Sequence, residues 1–205
     1  MKSKSRICID RSQQQHGRDY WENYAPVVSW PTIHLTLLLS TTLDLKQCQV
    51  DYAQAFPQAP LDDPVYMRIP QGCYMDAQTS TLNQHQDPTH NHREHYIWLK
   101  RNLYGCKQVA RNWFKPLCNG LIAEGFCQSS TDPCLFSHQD CILIVYTDDC
   151  IIFAQEDDTI NALIKSLAKT YLLEDQGSVQ DYLGIRIVKD PVSKCIHMAQ
   201  TRLIE

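Results

Sequence analysis

The stretch that decides the fold is Cys141-Ile142-Leu143-Ile144-Val145-Tyr146-Thr147-Asp148-Asp149-Cys150-Ile151-Ile152-Phe153-Ala154. Two apolar arms rich in β-branched and aromatic residues flank a polar centre. That is the composition of a buried strand pair with its tip at Tyr146-Thr147-Asp148-Asp149. Adjacent carboxylates between such arms cost solvation unless they face water or a cation. An Asp pair is also ordinary turn chemistry. The hairpin alone leaves both readings open.

A further carboxylate separates them. Gln49-Val50-Asp51-Tyr52-Ala53-Gln54-Ala55-Phe56 reads as a short strand ended by Pro57. If Asp51 and Asp148 meet at the ends of neighbouring strands, they form a site for a hard divalent cation. Magnesium takes one or two carboxylates together with substrate phosphates. A pair of such ions roughly 3.5–4 Å apart activates the attacking oxygen and stabilises the leaving one in an in-line phosphoryl displacement. Without metal, three close carboxylates repel, so one proton should be held to higher pH than usual.

These residues sit in a longer pattern. Tyr20-Trp21-Glu22-Asn23-Tyr24-Ala25-Pro26-Val27-Val28 comes first, then the Asp51 stretch, then Val65-Tyr66-Met67-Arg68-Ile69-Pro70-Gln71-Gly72. Leu103-Tyr104-Gly105-Cys106-Lys107-Gln108, the catalytic-type hairpin and Asp181-Tyr182-Leu183-Gly184-Ile185-Arg186-Ile187 follow. In this order the stretches resemble the reverse transcriptase of copia-type long-terminal-repeat retrotransposons. The resemblance implies an α+β, right-hand polymerase fold, in which an antiparallel sheet is backed by helices. Fingers would occupy about 1–45 and 58–107, and palm about 46–57 and 108–190. Thumb, ribonuclease H and integrase segments are expected to be absent.

The resemblance also implies roles. Asp51 and Asp148 are the expected metal ligands, Asp149 completes the triad, and the Tyr52 carbonyl helps to hold the metal. Magnesium is the expected cofactor, with manganese as a substitute. Phe56 resembles a steric gate against the sugar 2′ position, the bland alternative being a core aromatic. Tyr104 and Gly105 would lie against the incoming nucleotide, Gly105 letting backbone approach closely. Lys4 and Arg6 match a basic finger strand near the triphosphate. Tyr146 and Thr147 would touch the primer end, and Lys107 and Arg111 are candidates for phosphate contact. Expected partners are an RNA or DNA template with its primer, a deoxynucleoside triphosphate and the remainder of the polyprotein, with no membrane. Expected localisation is cytoplasmic, in a virus-like particle for a live element, with the nucleus as an alternative. Thr147 departs from the family's usual Val, and Asp10-Arg11 from its Gly-containing turn. The alternative function is a non-catalytic relic with at most nucleic-acid binding.

Bulk properties fit only partly. Of 205 residues 43% are hydrophobic, enough for a respectable core. The formal net charge of −4 gives no general attraction for phosphate, so binding must rest on local charge. Ten cysteines include no Cys-x-x-Cys pair, and the polar start carries no secretory signal, which favours buried free thiols. No apolar run approaches the about 20 residues of a membrane span.

Along the chain, residues 4–9 read as a strand, and Thr32 as the cap of a largely buried helix reaching about Leu43, with Ile33, Leu37 and Leu38 on one face. A stiff Pro-rich loop precedes an extended Val65–Ile69. The polar segment 73–95 includes His90-x-His92-x-x-His95; a solvated His-rich insertion is favoured over a zinc or copper site. Tyr96–Lys100 reads as a strand. A helix follows from Lys107, with Lys107, Arg111 and Lys115 on one face and Val109, Trp113, Leu117 and Leu121 lining much of the other; Pro116 either bends it or marks damage in this copy. A further helix should run from Glu156 to about Leu173. Tyr182–Val188 and Cys195–Met198 should close the fold as strands.

Overall fold

The computed structural model of the chain describes residues 7–70, 96–190 and 192–200. Lys4, Arg6, Gln71-Gly72 and the His-rich segment 85–95 lie outside the described residues.

In chain order the elements are α1 (Trp30–Thr42), β1 (Lys46–Asp51), α2 (Ala55–Gln58), β2 (Pro60–Arg68), β3 (Tyr96–Arg101) and α3 (Val109–Ala123). They continue with β4 (Cys127–Gln128), β5 (Leu135–His138), β6 (Cys141–Tyr146), β7 (Asp149–Ala154), α4 (Asp157–Leu167) and β8 (Glu174–Gly177). The last are β9 (Asp181–Tyr182), β10 (Ile185–Asp190) and β11 (Cys195–Ala199). Six strands form the main sheet in the order β4-β5-β6-β7-β1-β8, and every neighbouring pair is antiparallel. β2 pairs with β3 and β11-β10-β9 form a third sheet. This mixed architecture of antiparallel sheets and few helices agrees with the expected α+β class.

The apolar arms are continuous rather than alternating because the sheet is covered on both faces. On one face Cys48, Val50, Leu143, Val145, Cys150 and Ile152 join Trp113, Leu117 and Leu121 of α3 and Ile160 and Leu167 of α4. On the other, Ile144, Ile151 and Phe153 pack with Ile33 and Leu37 of α1 and with Tyr182, Ile185 and Ile187.

Several local expectations are corrected. The cap of α1 is Ser29, whose hydroxyl accepts from the Thr32 amide, and Leu35 and Leu38 of that helix are exposed. Residues 7–9 form no strand, and a short 3-10 helix follows at Arg11–Gln13. β1 ends at Asp51; Gln54 then takes a left-handed conformation and Phe56 falls in α2, not in a strand. Lys107 lies before α3 begins, and α3 runs through Pro116. α4 stops at Leu167, well short of Leu173. Tyr182–Val188 is not one strand: positive φ at Leu183 (52°) and Gly184 (77°) turns the chain, so β9 and β10 pair as a hairpin.

Candidate active site

Strand register brings the three acidic residues to one end of the main sheet. Asp51, the last residue of β1, lies opposite Asp149, the first of β7, and Asp149 in turn lies opposite Tyr146 of β6. Asp148 occupies the two-residue turn between β6 and β7, and its carbonyl accepts from the Tyr52 amide at 2.8 Å. All three acids are half-buried. Burial first, then the charges of Asp148 and Asp51, raise the Asp149 carboxyl above its usual range, against a hydrogen bond from the Gln49 side chain that lowers it. The direction is the one expected, but burial rather than the neighbouring charges is its first cause.

Hard oxygen donors with concentrated negative charge suit magnesium in chemistry. As the side chains stand, no group of three or more His, Cys, Asp or Glu among the described residues is arranged to hold an ion. The acids would have to turn toward one another to close on a cation. The Tyr52 carbonyl accepts from the Ala55 amide at 3.1 Å, which leaves it a second lone pair.

The turn itself is strained and held from beneath. Thr147 has φ +53°, a region a β-branched residue seldom enters. Its carbonyl accepts from the Trp113 indole N–H at 2.6 Å. Trp113 is 1% exposed and packs edge-on against Tyr52 and Tyr171, with centroids 5.2 and 5.7 Å away. Thr147, read from the sequence as a departure from the resembled pattern, thus sits in a hairpin whose main chain is anchored.

Phe56 and Tyr104 stand side by side, ring centroids 5.3 Å apart, both half-buried. Gly105 has φ +95°, and a Cβ there would lie 2.2 Å from the Ile9 carbonyl oxygen. The backbone that Gly105 admits is therefore the protein's own: Ile9 donates its amide to the Tyr104 carbonyl. Lys107 and Arg111 are likewise engaged internally. Lys107 Nζ donates to the Gln14 carbonyl at 3.0 Å and lies 5.0 Å from the centre of the Tyr20 ring. Arg111 is ion-paired to Glu22 and, at 3.7 Å, to Asp62. Residues 9–22 form a strap over the 104–111 stretch. Tyr146 and Thr147 are half-buried at the hairpin tip, beside the acids.

Sequence reasoning passed over three contributors. Gln49 lies two residues before Asp51 on the same strand face, and that alternation was the available signal. Trp113 read as one more apolar residue of an amphipathic helix. Gln14, which bonds Lys107 and Gln108, carries no local sign of partners so far along the chain.

Comparison with known proteins identifies the family. The sequence model described as Reverse transcriptase (RNA-dependent DNA polymerase) matches residues 1–205. The chain is 27% identical over 208 residues to the retrovirus-related Pol polyprotein from transposon TNT 1-94 of Nicotiana tabacum, covering 98% of this chain and 14% of that protein. It is 29% identical to the Pol polyprotein from transposon RE1 of Arabidopsis thaliana, over 98% of this chain and 13% of that one. Identity to the transposon Ty1-H Gag-Pol polyprotein of Saccharomyces cerevisiae is 26%, over 87% of this chain and 10% of the polyprotein. The chain thus spans only about a seventh of the length of the plant relatives. No solved structure matches. With its hairpin acids, its matched stretches and its retrotransposon Pol relatives, the chain belongs to the reverse transcriptase (RNA-dependent DNA polymerase) family of copia-type long-terminal-repeat retrotransposons.

Proposed function

We propose that the chain is the polymerase core of a retrotransposon reverse transcriptase, extending a primer 3′-hydroxyl with deoxynucleoside triphosphates on an RNA or DNA template. The observation that carries this reading is the register of β1 on β7, which sets Asp51 against Asp149 with Asp148 on the adjoining turn. We assign the main sheet and its helices to the palm, about 46–57 and 108–190, and about 1–45 and 58–107 to the fingers.

Asp51 and Asp148 would hold magnesium, or manganese in its place, with Asp149 and the Tyr52 carbonyl in support. Bound there, the metal would supply charge neutralisation for the triphosphate and a lowered pKa for the primer hydroxyl. The protein's own part is positional. The Tyr52 amide fixes the Asp148 main chain, and Gln49 orients the Asp149 carboxylate. Phe56, braced by Tyr104, is the steric gate of this reading, while Tyr146 and Thr147 meet the primer end. Lys4 and Arg6 remain candidates for the triphosphate, and Lys107 and Arg111 for template phosphates once they exchange their internal partners. The remainder of the polyprotein is a partner by this reading, and the cytoplasm, within a virus-like particle, is the proposed setting. No helix among the described residues is long and apolar enough to cross a membrane.

The second reading, a non-catalytic relic, draws support from the acids' present arrangement and from the internal pairing of Arg111. Primer extension with magnesium or manganese decides between them. Extension by the wild-type chain that Asp148→Asn abolishes supports the polymerase. No extension by a well-folded chain supports the relic.

A further inference from the structure

Strained backbone persists only where its surroundings over-determine it, and it clusters at functional sites. The turn of the β6–β7 hairpin meets that description. Thr147, at φ +53°, has its carbonyl bound by the Trp113 indole at 2.6 Å. The next carbonyl, that of Asp148, is bound by the Tyr52 amide at 2.8 Å. The two anchors are themselves joined, because the Tyr52 and Trp113 rings pack edge to face at 5.2 Å. Tyr171 closes the cluster, 5.6 Å from Tyr52 and 5.7 Å from Trp113. Its hydroxyl donates to the Pro116 carbonyl at 3.0 Å, one turn along the helix that carries Trp113. The indole therefore sits on a rigid base, and its N–H points at the peptide group that links Thr147 to Asp148.

We propose that Trp113 is a positioning residue, whose indole N–H holds the Thr147–Asp148 peptide so that the Asp148 carboxylate stays within reach of Asp51 and Asp149. A side chain filling the core would need only its apolar surface. This one is polar at the single atom that reaches the turn, and a buried N–H without an acceptor is costly. Tryptophan is thus required by the hydrogen bond and not by volume alone. Misplacing a reacting group by about 1 Å costs on the order of 100-fold in rate. Loss of the bond should therefore act on the chemical step while the nucleotide and template surfaces remain.

The kinetic arm of the test rests on the polymerase reading; the exchange arm rests on the hairpin alone. Trp113→Phe keeps an aromatic ring against Tyr52 and Tyr171 but deletes the donor. Leu117→Val, one turn further along α3 and fully buried, is the control for simple loss of core packing. In the full chain, Trp113→Phe should lower kcat about 10- to 100-fold with KM for the deoxynucleotide within about twofold. Leu117→Val should lower thermal stability and leave kcat near wild type. Amide hydrogen exchange read at the tip, residues 147–149, should speed up about tenfold or more in Trp113→Phe and stay unchanged in Leu117→Val. If Trp113→Phe and Leu117→Val behave alike in both arms, Trp113 is core packing and the proposal is overturned. If the wild-type chain extends no primer, the function fails, and the exchange arm alone decides: faster exchange at the tip upholds the positioning role, and unchanged exchange overturns it.

Discussion

Asp149 keeps its proton to higher pH than an isolated aspartic acid, because burial and then the charges of Asp148 and Asp51 disfavour its carboxylate. A carboxyl whose folded value is raised binds its proton more tightly in the fold than in the unfolded chain. Its contribution to stability is therefore full below the usual value of 3.8 and is lost as pH rises through the raised one. In EDTA, melting temperature should fall across that interval. Asp149→Asn should flatten the profile and melt above wild type at neutral pH, and identical profiles for the two proteins would refute the crowding. Phe56 makes a separate prediction. Its half-buried ring leans on Tyr104, so Phe56→Val should open space without emptying the core. Ribonucleotide use relative to deoxyribonucleotide, measured as a ratio of kcat/KM, should rise about tenfold or more; an unchanged ratio makes Phe56 a packing residue. The three acids were legible because carboxylates between apolar arms demand an explanation. Gln49 was not, because a glutamine near the end of a strand is unremarkable until the fold shows which carboxylate its side chain reaches.

At the scale of elements, helix α3 and the segment after α4 are fastened through one glycine. A Cβ at Gly120 would lie 2.3 Å from the Tyr171 hydroxyl, and that ring is held by Tyr52 and Trp113, so it cannot swing aside freely. Alanine favours a helix over glycine by about 1 kcal/mol, whereas overpacking costs roughly 1–3 kcal/mol. The clash should win, making Gly120→Ala destabilising by about 1 kcal/mol in urea unfolding; a stabilised variant would show that Tyr171 is loosely held. Strands with continuous apolar runs were legible because burial on both faces leaves no other composition. Ends were less so. Thr32 has good cap chemistry, yet Ser29 takes the role while Asp132, a hundred residues away, accepts from the Ser29 amide and the Thr32 hydroxyl. The break between β9 and β10 depends on a non-glycine residue, Leu183, entering positive φ, which composition disfavours.

For the whole molecule, the long-range fastening is the strap of residues 9–22 on the 104–111 stretch, with bonding partners separated by about 90 positions. Such pairings carry no local signal, and so Lys107 and Arg111 read as free basic charges. Each phosphate contact contributes about −0.9 to the slope of log affinity against log salt on duplex. Glu22→Gln with Asp62→Asn should release Arg111, strengthen template–primer binding at low salt and steepen that slope by about one contact. Weaker binding with an unchanged slope would instead make Arg111 a strut for the strap. The margins of the main sheet have a different consequence. On one side every residue of β8 is exposed and the strand begins Glu174-Asp175; on the other β4 is only two residues long. Short or charged borders offer a poor template for a strand from another copy. The apolar arms of β6 and β7 are the kind of segment that stacks into fibrils when bared. Their place in the middle of the sheet, with β5 and β1 on either side, keeps the same residues that frame the acids from joining copy to copy.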